Sequence, residues 1–435
     1  VTIKAAKEKR PDIVLYINGI ALVVLELKKS SKSIGNGIRQ NIDNQKNIFI
    51  KNFFATIQIV MAGNDSEGLQ YGVINTPEKY YLKWKEDITS SAAIVSPMKE
   101  LLDNRLYQMC QKERLLDIIH NFIVFEDPDK KICRYNQYFG AKETQQSLRK
   151  EEGGILWHTQ GSGKSLLMIW LAKWIREKRD DSRVLILTDR EELDDQIEGF
   201  FSGVDEKIYR TQSGKDMWEK LNEQEHVFMF SLIHKFRSKD SDDEGYEEML
   251  ANIPADFSVK GNLHIFIDEC HRTQSGKLHD AMIKKLPNAI ILGFTGTPLL
   301  QKDKKTTVEK FGKIIHSYKY NTAVEDGVVL DLKYIPREVK QNLTSPEKID
   351  QWFDASTKGL TEWKKNEVKK KWATMQKVCS SKDRLEEIVK HILLDMRVFP
   401  RLADGKGNAI LVANDIYEAC KYYNLFSNDN NFKKC

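Results

Sequence analysis

No apolar stretch in this sequence approaches the roughly 18 residues that a bilayer crossing requires, so the reading excludes a membrane span and a signal peptide. Cysteine is scarce. Six in 435 residues lie scattered, without the paired spacing of zinc ligands, as expected of reduced thiols in a cytoplasmic protein. Neither charge sign dominates: a net charge of +5 is compatible with a nucleic-acid partner but does not require one. Internal repeats are missing too. What is present, 41% apolar and 30% charged residues, is the balance of a soluble globular protein. Its length exceeds a single core and implies two or three domains. The chain opens at Val1 and runs quickly into a strand pattern, the reading of a fragment whose true start lies upstream.

The run Trp157-His158-Thr159-Gln160-Gly161-Ser162-Gly163-Lys164-Ser165 carries the strongest chemical signal. A loop that presents several backbone N–H groups to one triphosphate cannot carry bulky side chains at the point of approach, and Gly161 and Gly163 meet that need. Thr159 and Ser162 complete the loop. Lys164 supplies a point charge for the β- and γ-phosphates, and Ser165 a hydroxyl for Mg²⁺. The strand Gly154–Trp157 precedes the loop and a helix, Leu166–Trp174, follows it. His158 stands where such loops usually have their first glycine, a departure that resembles superfamily 2 helicase-like motors. The bland alternative is a Gly/Ser-rich turn.

Further along, Asp268 and Glu269 end the apolar run Leu263–Ile267, which reads as a buried parallel strand. Carboxylates at the carboxyl end of such a strand face the ligand crevice of an α/β sheet. Asp268 can hold the Mg²⁺ shell, and Glu269 can orient or deprotonate an attacking water. An acidic helix cap is the alternative. Thr295-Gly296-Thr297-Pro298 follows a further strand pattern. Cys270 and His271 have no partners at zinc spacing and read as motif packing.

The fold class expected is α/β, with three regions. Residues 1–125 begin with strands and pass into helices near Met98–Leu106 and Lys112–Ile119. Residues 126–320 alternate strand runs (Val184–Leu187, His226–Phe230, Leu263–Ile267, Ala289–Gly293) with helical patterns, the signature of a doubly wound parallel sheet. Residues 321–435 hold a Lys/Glu-rich, Trp-punctuated helical stretch, then a strand at Ala409–Ala413 and a helix at Tyr417–Leu425. The run Lys239–Gly245 reads as a solvated loop. Residues Trp363 to Trp372 read as an exposed helix with snorkelling lysines rather than a nucleic-acid groove.

A second chemistry lies near the N-terminus. Asp12 opens the strand Ile13–Ile17, Asn18-Gly19 turns, and Ile20–Leu27 returns carrying Glu26, with Lys28 on the same face. Two carboxylates at one sheet edge can bind Mg²⁺, and a lysine can orient the activated water. Asp12 and Glu26 share a face only if the hairpin loop holds an odd number of residues. The form expected is Ile17-Asn18-Gly19 as a type I turn with a glycine bulge, setting Asp12 opposite Val24. A merely charged strand end is the alternative.

Pro11-Asp12 with Glu26-Leu27-Lys28 resembles the PD-(D/E)xK nuclease motif. Taken in order with Gly161–Ser165, Asp268–Arg272 and Phe294–Pro298, the chain resembles the restriction (motor) subunit of type I restriction endonucleases over nearly its whole length. The resemblance implies a restriction-endonuclease-like nuclease domain, a RecA-like doubly wound sheet and the start of a second RecA-like lobe. It implies ATP and Mg²⁺ as cofactors, duplex DNA as substrate, and methylation and specificity subunits as partners, with no membrane. By the same resemblance Gln40 is the Gln of a QxxxY nuclease element whose Tyr place holds Asn44. Gln137 is similar to an adenine-reading Gln, Arg190 to a DNA contact, and Thr295 and Thr297 to the motif coupling hydrolysis to DNA movement. The resemblance further leaves the arginines of a second lobe beyond Cys435, so that weak Mg-ATP binding with little hydrolysis is expected of these residues alone. Two other readings stay open: a superfamily 2 DNA translocase or helicase whose hairpin is structural, and a non-enzymatic, nucleotide-gated assembly module.

Overall fold

The computed structural model describes residues 7–126, 129–188, 208–223, 227–232, 258–270, 285–298, 307–338 and 382–428, with a few isolated positions besides. Two compact units divide the chain, Val1–Asp331 and Leu332–Cys435.

The first unit opens with β1 (Ile13–Ile17) and β2 (Ile20–Leu27), antiparallel, followed by α1 (Gly35–Asn44), β3 (Ile59–Asn64), β4 (Gly68–Gly72) and β5 (Leu82–Lys83). The five strands form one sheet in chain order, with β2 and β3 parallel and the other pairs antiparallel. Strand β3 is buried along its whole length, and α1 packs across β2 and β3.

The hairpin differs from the sequence expectation. Ile17 pairs with Ile20, so the loop is the two residues Asn18 and Gly19, both left-handed at φ 50° and 81°. That is the type I′ geometry that Asn-Gly favours, because its twist matches the flanking strands. Parity is corrected two residues later. Leu15 faces Val23 and Tyr16 faces Ala21, leaving Leu22 as a bulge. Ile13 lies opposite Leu25, so Asp12 falls opposite Glu26 rather than Val24.

Helices α2 (Leu101–Met109) and α3 (Lys112–Asn121) and the hairpin β6 (Ile123–Glu126) and β7 (Asp129–Ile132) lead to α4 (Tyr135–Arg149). Trp84, Phe122, Tyr138 and Phe139 pack ring to ring in this region. Buried Arg114 joins buried Glu86 at 2.8 Å.

A seven-stranded, wholly parallel sheet follows: β8 (Gly154–His158), β9 (Ser182–Thr188), β10 (Ile208–Arg210), β11 (Phe228–Leu232), β12 (Asn262–Asp268), β13 (Ile290–Thr295) and β14 (Ile314–Tyr318), in the order β10-β11-β9-β12-β13-β8-β14. Helix α5 (Lys164–Lys178) runs from β8 toward β9, α6 (Gly214–Asn222) from β10 toward β11, and α7 (Thr307–Phe311) precedes β14. The central strands are almost continuously apolar and buried, as a sheet covered on both faces demands. The four strands read from the sequence in this region are present, as is the helix read at Leu166–Trp174, with ends shifted by a few residues. Helix α8 (Tyr320–Glu325) closes the unit.

The second unit contains α9 (Lys382–Val398), α10 (Pro400–Ala403) and α11 (Ile416–Asn428), with a small cluster of Leu385, Val389 and Tyr422 between α9 and α11. The helix expected at Tyr417–Leu425 is there; the strand expected at Ala409–Ala413 is not. Its apolar run has no described neighbour to complete a hydrogen-bond ladder, and Ile410 and Val412 stand exposed. Lys239–Gly245 and nearly all of Trp363–Trp372 lie outside the described residues. No helix among the described residues is long and apolar enough to cross a membrane.

Candidate functional site

Two constellations emerge in the first unit. One sits at the carboxyl end of β2. Glu26 is wholly buried, and its two oxygens are held by two amides one helical turn apart on α1: Gln40 Nε2 donates to Oε2 at 2.5 Å and Asn44 Nδ2 to Oε1 at 3.0 Å. Helix α1 reaches the strand because residue 37 is glycine. A Cβ there would lie 3.1 Å from the Ala62 Cβ and 3.4 Å from the Glu26 carbonyl oxygen. Gln40 in turn accepts from Lys28 Nζ at 2.7 Å, and Lys28 Nζ lies 4.0 Å from Asp12 Oδ2. The Leu27 amide donates to the same Asp12 oxygen at 2.8 Å. Asp12, Glu26, Lys28 and Gln40, singled out from the sequence, are therefore brought together, and Asn44 joins them.

Burial, with the Asp12 carboxylate beside it, pushes the Glu26 carboxyl up to about 8, although Lys28 pulls the other way. Two opposed carboxylates with a lysine at their edge are an all-oxygen donor set of the kind a hard divalent cation takes. Asp12 and Glu26 would hold Mg²⁺ there. Among the described residues no group of three or more His, Cys, Asp or Glu is gathered for a metal, so such an ion would keep waters in its shell.

The other constellation lies at the carboxyl ends of β8, β12 and β13. Gly161 and Gly163 are left-handed, at φ 75° and 84°, and Gly163 caps α5, whose N-terminus faces the loop. The Ser162 hydroxyl donates to the Thr159 carbonyl at 2.6 Å and tightens the turn. Lys164 is largely buried, its Nζ 3.3 Å from the His158 carbonyl oxygen and 4.0 Å from Glu269 Oε1. It bridges the first residue of the loop and the acidic end of β12.

Asp268 accepts from the Thr188 hydroxyl at 3.3 Å. Glu269 has φ 46°, a conformation costly for a non-glycine residue and one that recurs at functional sites. Gly296 packs on the loop, where a Cβ would lie 3.2 Å from the Gln160 nitrogen, and its carbonyl accepts from Trp157 Nε1 at 3.1 Å. Thr295 Oγ1 accepts from the Thr297 amide at 3.0 Å. The Thr-Gly-Thr turn thus touches the glycine loop directly. With Ser165 at the start of α5 and Asp268 on β12, a hydroxyl and a carboxylate suited to Mg²⁺ belong to the same strand ends.

Gln137 presses on the loop. Its Nε2 donates to the Gly163 carbonyl at 2.9 Å, and its Oε1 accepts from the Arg134 amide at 2.7 Å. Cys270 packs against Gly293, as its reading as a packing residue requires. Arg190 and His271 lie outside the described residues. Sequence reasoning missed the Asn44 contact, the Glu269 backbone and the partner of His158. Only the first had a signal, the i, i+4 spacing of Gln40 and Asn44.

Residues 136–366, which span the glycine loop and both later motifs, match the SWI2/SNF2 ATPase family, and residues 1–79 match the type I restriction enzyme R protein N terminus. The chain belongs to the SWI2/SNF2 ATPase family. Its relatives agree. A protein named as a type I restriction enzyme endonuclease subunit in Methanocaldococcus jannaschii is 29% identical over 98% of this chain and 42% of its own length. The HindI endonuclease subunit of Haemophilus influenzae is 28% identical over 93% and 40%. An endonuclease subunit from Staphylococcus aureus is 25% identical over 98% and 43%. The chain therefore spans about two fifths of the length of the curated relatives it matches.

Proposed function

We propose that this chain supplies the ATP-driven duplex-DNA translocase and the Mg²⁺-dependent endonuclease of a type I restriction-modification complex, working with methylation and specificity subunits in the cytoplasm. The observation that carries the reading is the occurrence, in one compact unit, of a two-carboxylate site at Asp12 and Glu26 and a glycine loop whose lysine lies beside Glu269.

At the motor site, Gly161, Ser162, Gly163 and Thr159 shape the loop around the phosphates and Lys164 neutralises them. Ser165 and Asp268 hold Mg²⁺, Glu269 orients the attacking water, and Gln137 reads the adenine. Thr295 and Thr297 couple that site to DNA movement, and Arg190 contacts a phosphate. At the nuclease site, Asp12 and Glu26 would hold Mg²⁺, which would supply a water of lowered pKa. Lys28 orients that water, and Gln40 holds Lys28 and Glu26 in register.

A second reading, a translocase without cleavage, draws on the two amides that occupy both Glu26 oxygens, a contact suited to a structural carboxyl. The two separate in one experiment. In the assembled complex, Glu26→Ala should abolish Mg²⁺-dependent DNA nicking while ATP turnover on DNA stays within about twofold of wild type. Nicking at the wild-type rate by Glu26→Ala would remove Glu26 from the nuclease site, absence of Mg²⁺-dependent nicking by the wild-type complex would leave the second reading standing, and absence of ATP turnover by the wild-type complex would remove the motor from both.

A further inference from the structure

Asp87 lies past β5, in the stretch leading from the N-terminal sheet toward α2. Its carboxylate oxygens are held separately. Oδ1 accepts from the Thr89 hydroxyl at 2.6 Å and the Thr89 amide at 3.0 Å, while Oδ2 lies 3.0 Å from Nε2 of His316 on β14. The other ring nitrogen of His316, Nδ1, lies 2.8 Å from Nε2 of His158, with ring centres 5.0 Å apart. His158 ends β8, opens the glycine loop, is wholly buried, and offers its carbonyl to Lys164. Room for two imidazoles against α4 comes from Gly140. A Cβ there would meet the His158 ring at 3.0 Å and the His316 ring at 3.4 Å. The same stretch is fastened again at Glu143 on α4, which accepts from the Ser90 hydroxyl and from the Ser91 amide and hydroxyl at 2.7 to 2.8 Å.

The protons along this chain follow from the acid at its end. The hydrogen bond from His316 outweighs burial and holds the Asp87 carboxyl down at about 2. An ionised carboxylate accepts only, so Nε2 of His316 carries a hydrogen. His158, kept uncharged by its burial, carries a single hydrogen, and donating it from Nε2 to Nδ1 of His316 completes the chain. The lone pair of His158 is then on Nδ1, which has no hydrogen-bond partner among the described residues. Burial is the largest cause that keeps His158 uncharged, and the Lys164 ammonium acts in the same direction. Lys164 faces His158 and Glu143 faces His316, with the Tyr318 ring 6.1 Å from that of His158. A carboxylate two rings away therefore selects the tautomer and fixes the ring of the residue that opens the loop.

We propose that Asp87, His316 and His158 form a positioning relay, through which the stretch after the N-terminal sheet sets the conformation of the glycine loop and its affinity for the phosphates of a Mg-nucleotide. The inference rests on reading that loop as a nucleotide site.

The test is a double-mutant cycle on the full chain, with MgADP binding measured by calorimetry. Asp87→Asn keeps the shape and removes the charge; it should weaken MgADP about fivefold, and Asp87→Glu should recover most of the loss. His158→Gly removes the end of the relay, so Asp87→Asn in that background should change the affinity by less than about twofold. In parallel, nitrogen NMR of histidine-labelled chain should find His158 as the Nε2–H tautomer in wild type and a mixture in Asp87→Asn. This readout decides the matter if His158→Gly does not fold. Wild-type affinity in Asp87→Asn, an undiminished loss in the His158→Gly background, or an unchanged tautomer would each overturn the relay. Failure of the wild-type chain to bind MgADP would overturn the nucleotide reading, and the relay with it.

Discussion

Lys164 reads from the sequence as a mobile cation on an exposed loop, yet it is only 9% exposed and held between the His158 carbonyl and Glu269. The identity of the residue was legible; its surroundings were not, because they come from a strand about a hundred residues away. Lys164→Ala should abolish ATP-dependent translocation by the full complex. It should also cost about 1–2 kcal/mol of stability, since a group packed beside a buried carboxylate is removed. Translocation assays paired with thermal melts check both halves, and translocation at the normal rate would remove Lys164 from the phosphate site. Asn44 teaches the converse. A departure from the family pattern placed its role in doubt, but a side-chain amide at the same helical position reaches the Glu26 carboxylate. Glu269's positive φ had no sequence signal at all, because only tertiary contacts can hold a glutamate there.

Elements were legible where hydrophobic period and length agreed. The parallel strands announced themselves as short buried apolar runs, and the hairpin as Asn-Gly between two of them. The shared face of Asp12 and Glu26 was inferred correctly, but the device that produces it was misassigned. The turn is the favoured two-residue type, and the extra residue is the Leu22 bulge, which no composition rule singles out. Ala409–Ala413 failed for the complementary reason, as an apolar β-branched run becomes a strand only when another strand pairs with it. Element packing yields its own prediction, at Gly37. Alanine there would meet the Ala62 Cβ at 3.1 Å and the Glu26 carbonyl at 3.4 Å, so α1 must shift by a few tenths of an ångström and carry Gln40 and Asn44 with it. Gly37→Ala should lower Mg²⁺-dependent nicking by roughly tenfold while nucleotide binding stays at the wild-type level. Equal nicking by the two proteins would mean that α1 does not position the carboxylate.

At the scale of the whole molecule, the buried ionisable groups make stability depend on pH in opposing directions. Burial, with Arg179 adding to it, holds the His264 imidazole down at about 4, against 6.5 in an unfolded chain. Its contribution is therefore full above 6.5 and lost as pH falls toward 4, where the unfolded chain binds the extra proton. Glu26 has the opposite sign. Burial, then Asp12, raises it from 4.5 to about 8, so the folded chain retains a proton that the unfolded chain has released. Its contribution is full below 4.5 and is lost as pH rises toward 8. Between 4.5 and 6.5 the two slopes offset each other, and above 6.5 the carboxylate acts alone. In buffer containing a chelator, wild type should lose on the order of 2 kcal/mol between pH 6.5 and 8, at about 1.4 kcal/mol per unit. Glu26→Gln, which cannot ionise, should lose far less over the same interval. Added Mg²⁺ should reduce the wild-type loss, because a cation between Asp12 and Glu26 favours the ionised form. Urea unfolding at the two pH values, with chelator and with Mg²⁺, measures all three. Parallel slopes for wild type and Glu26→Gln would mean that the Glu26 carboxyl is already ionised in the folded chain, and the pH dependence above 6.5 would have to come from other groups.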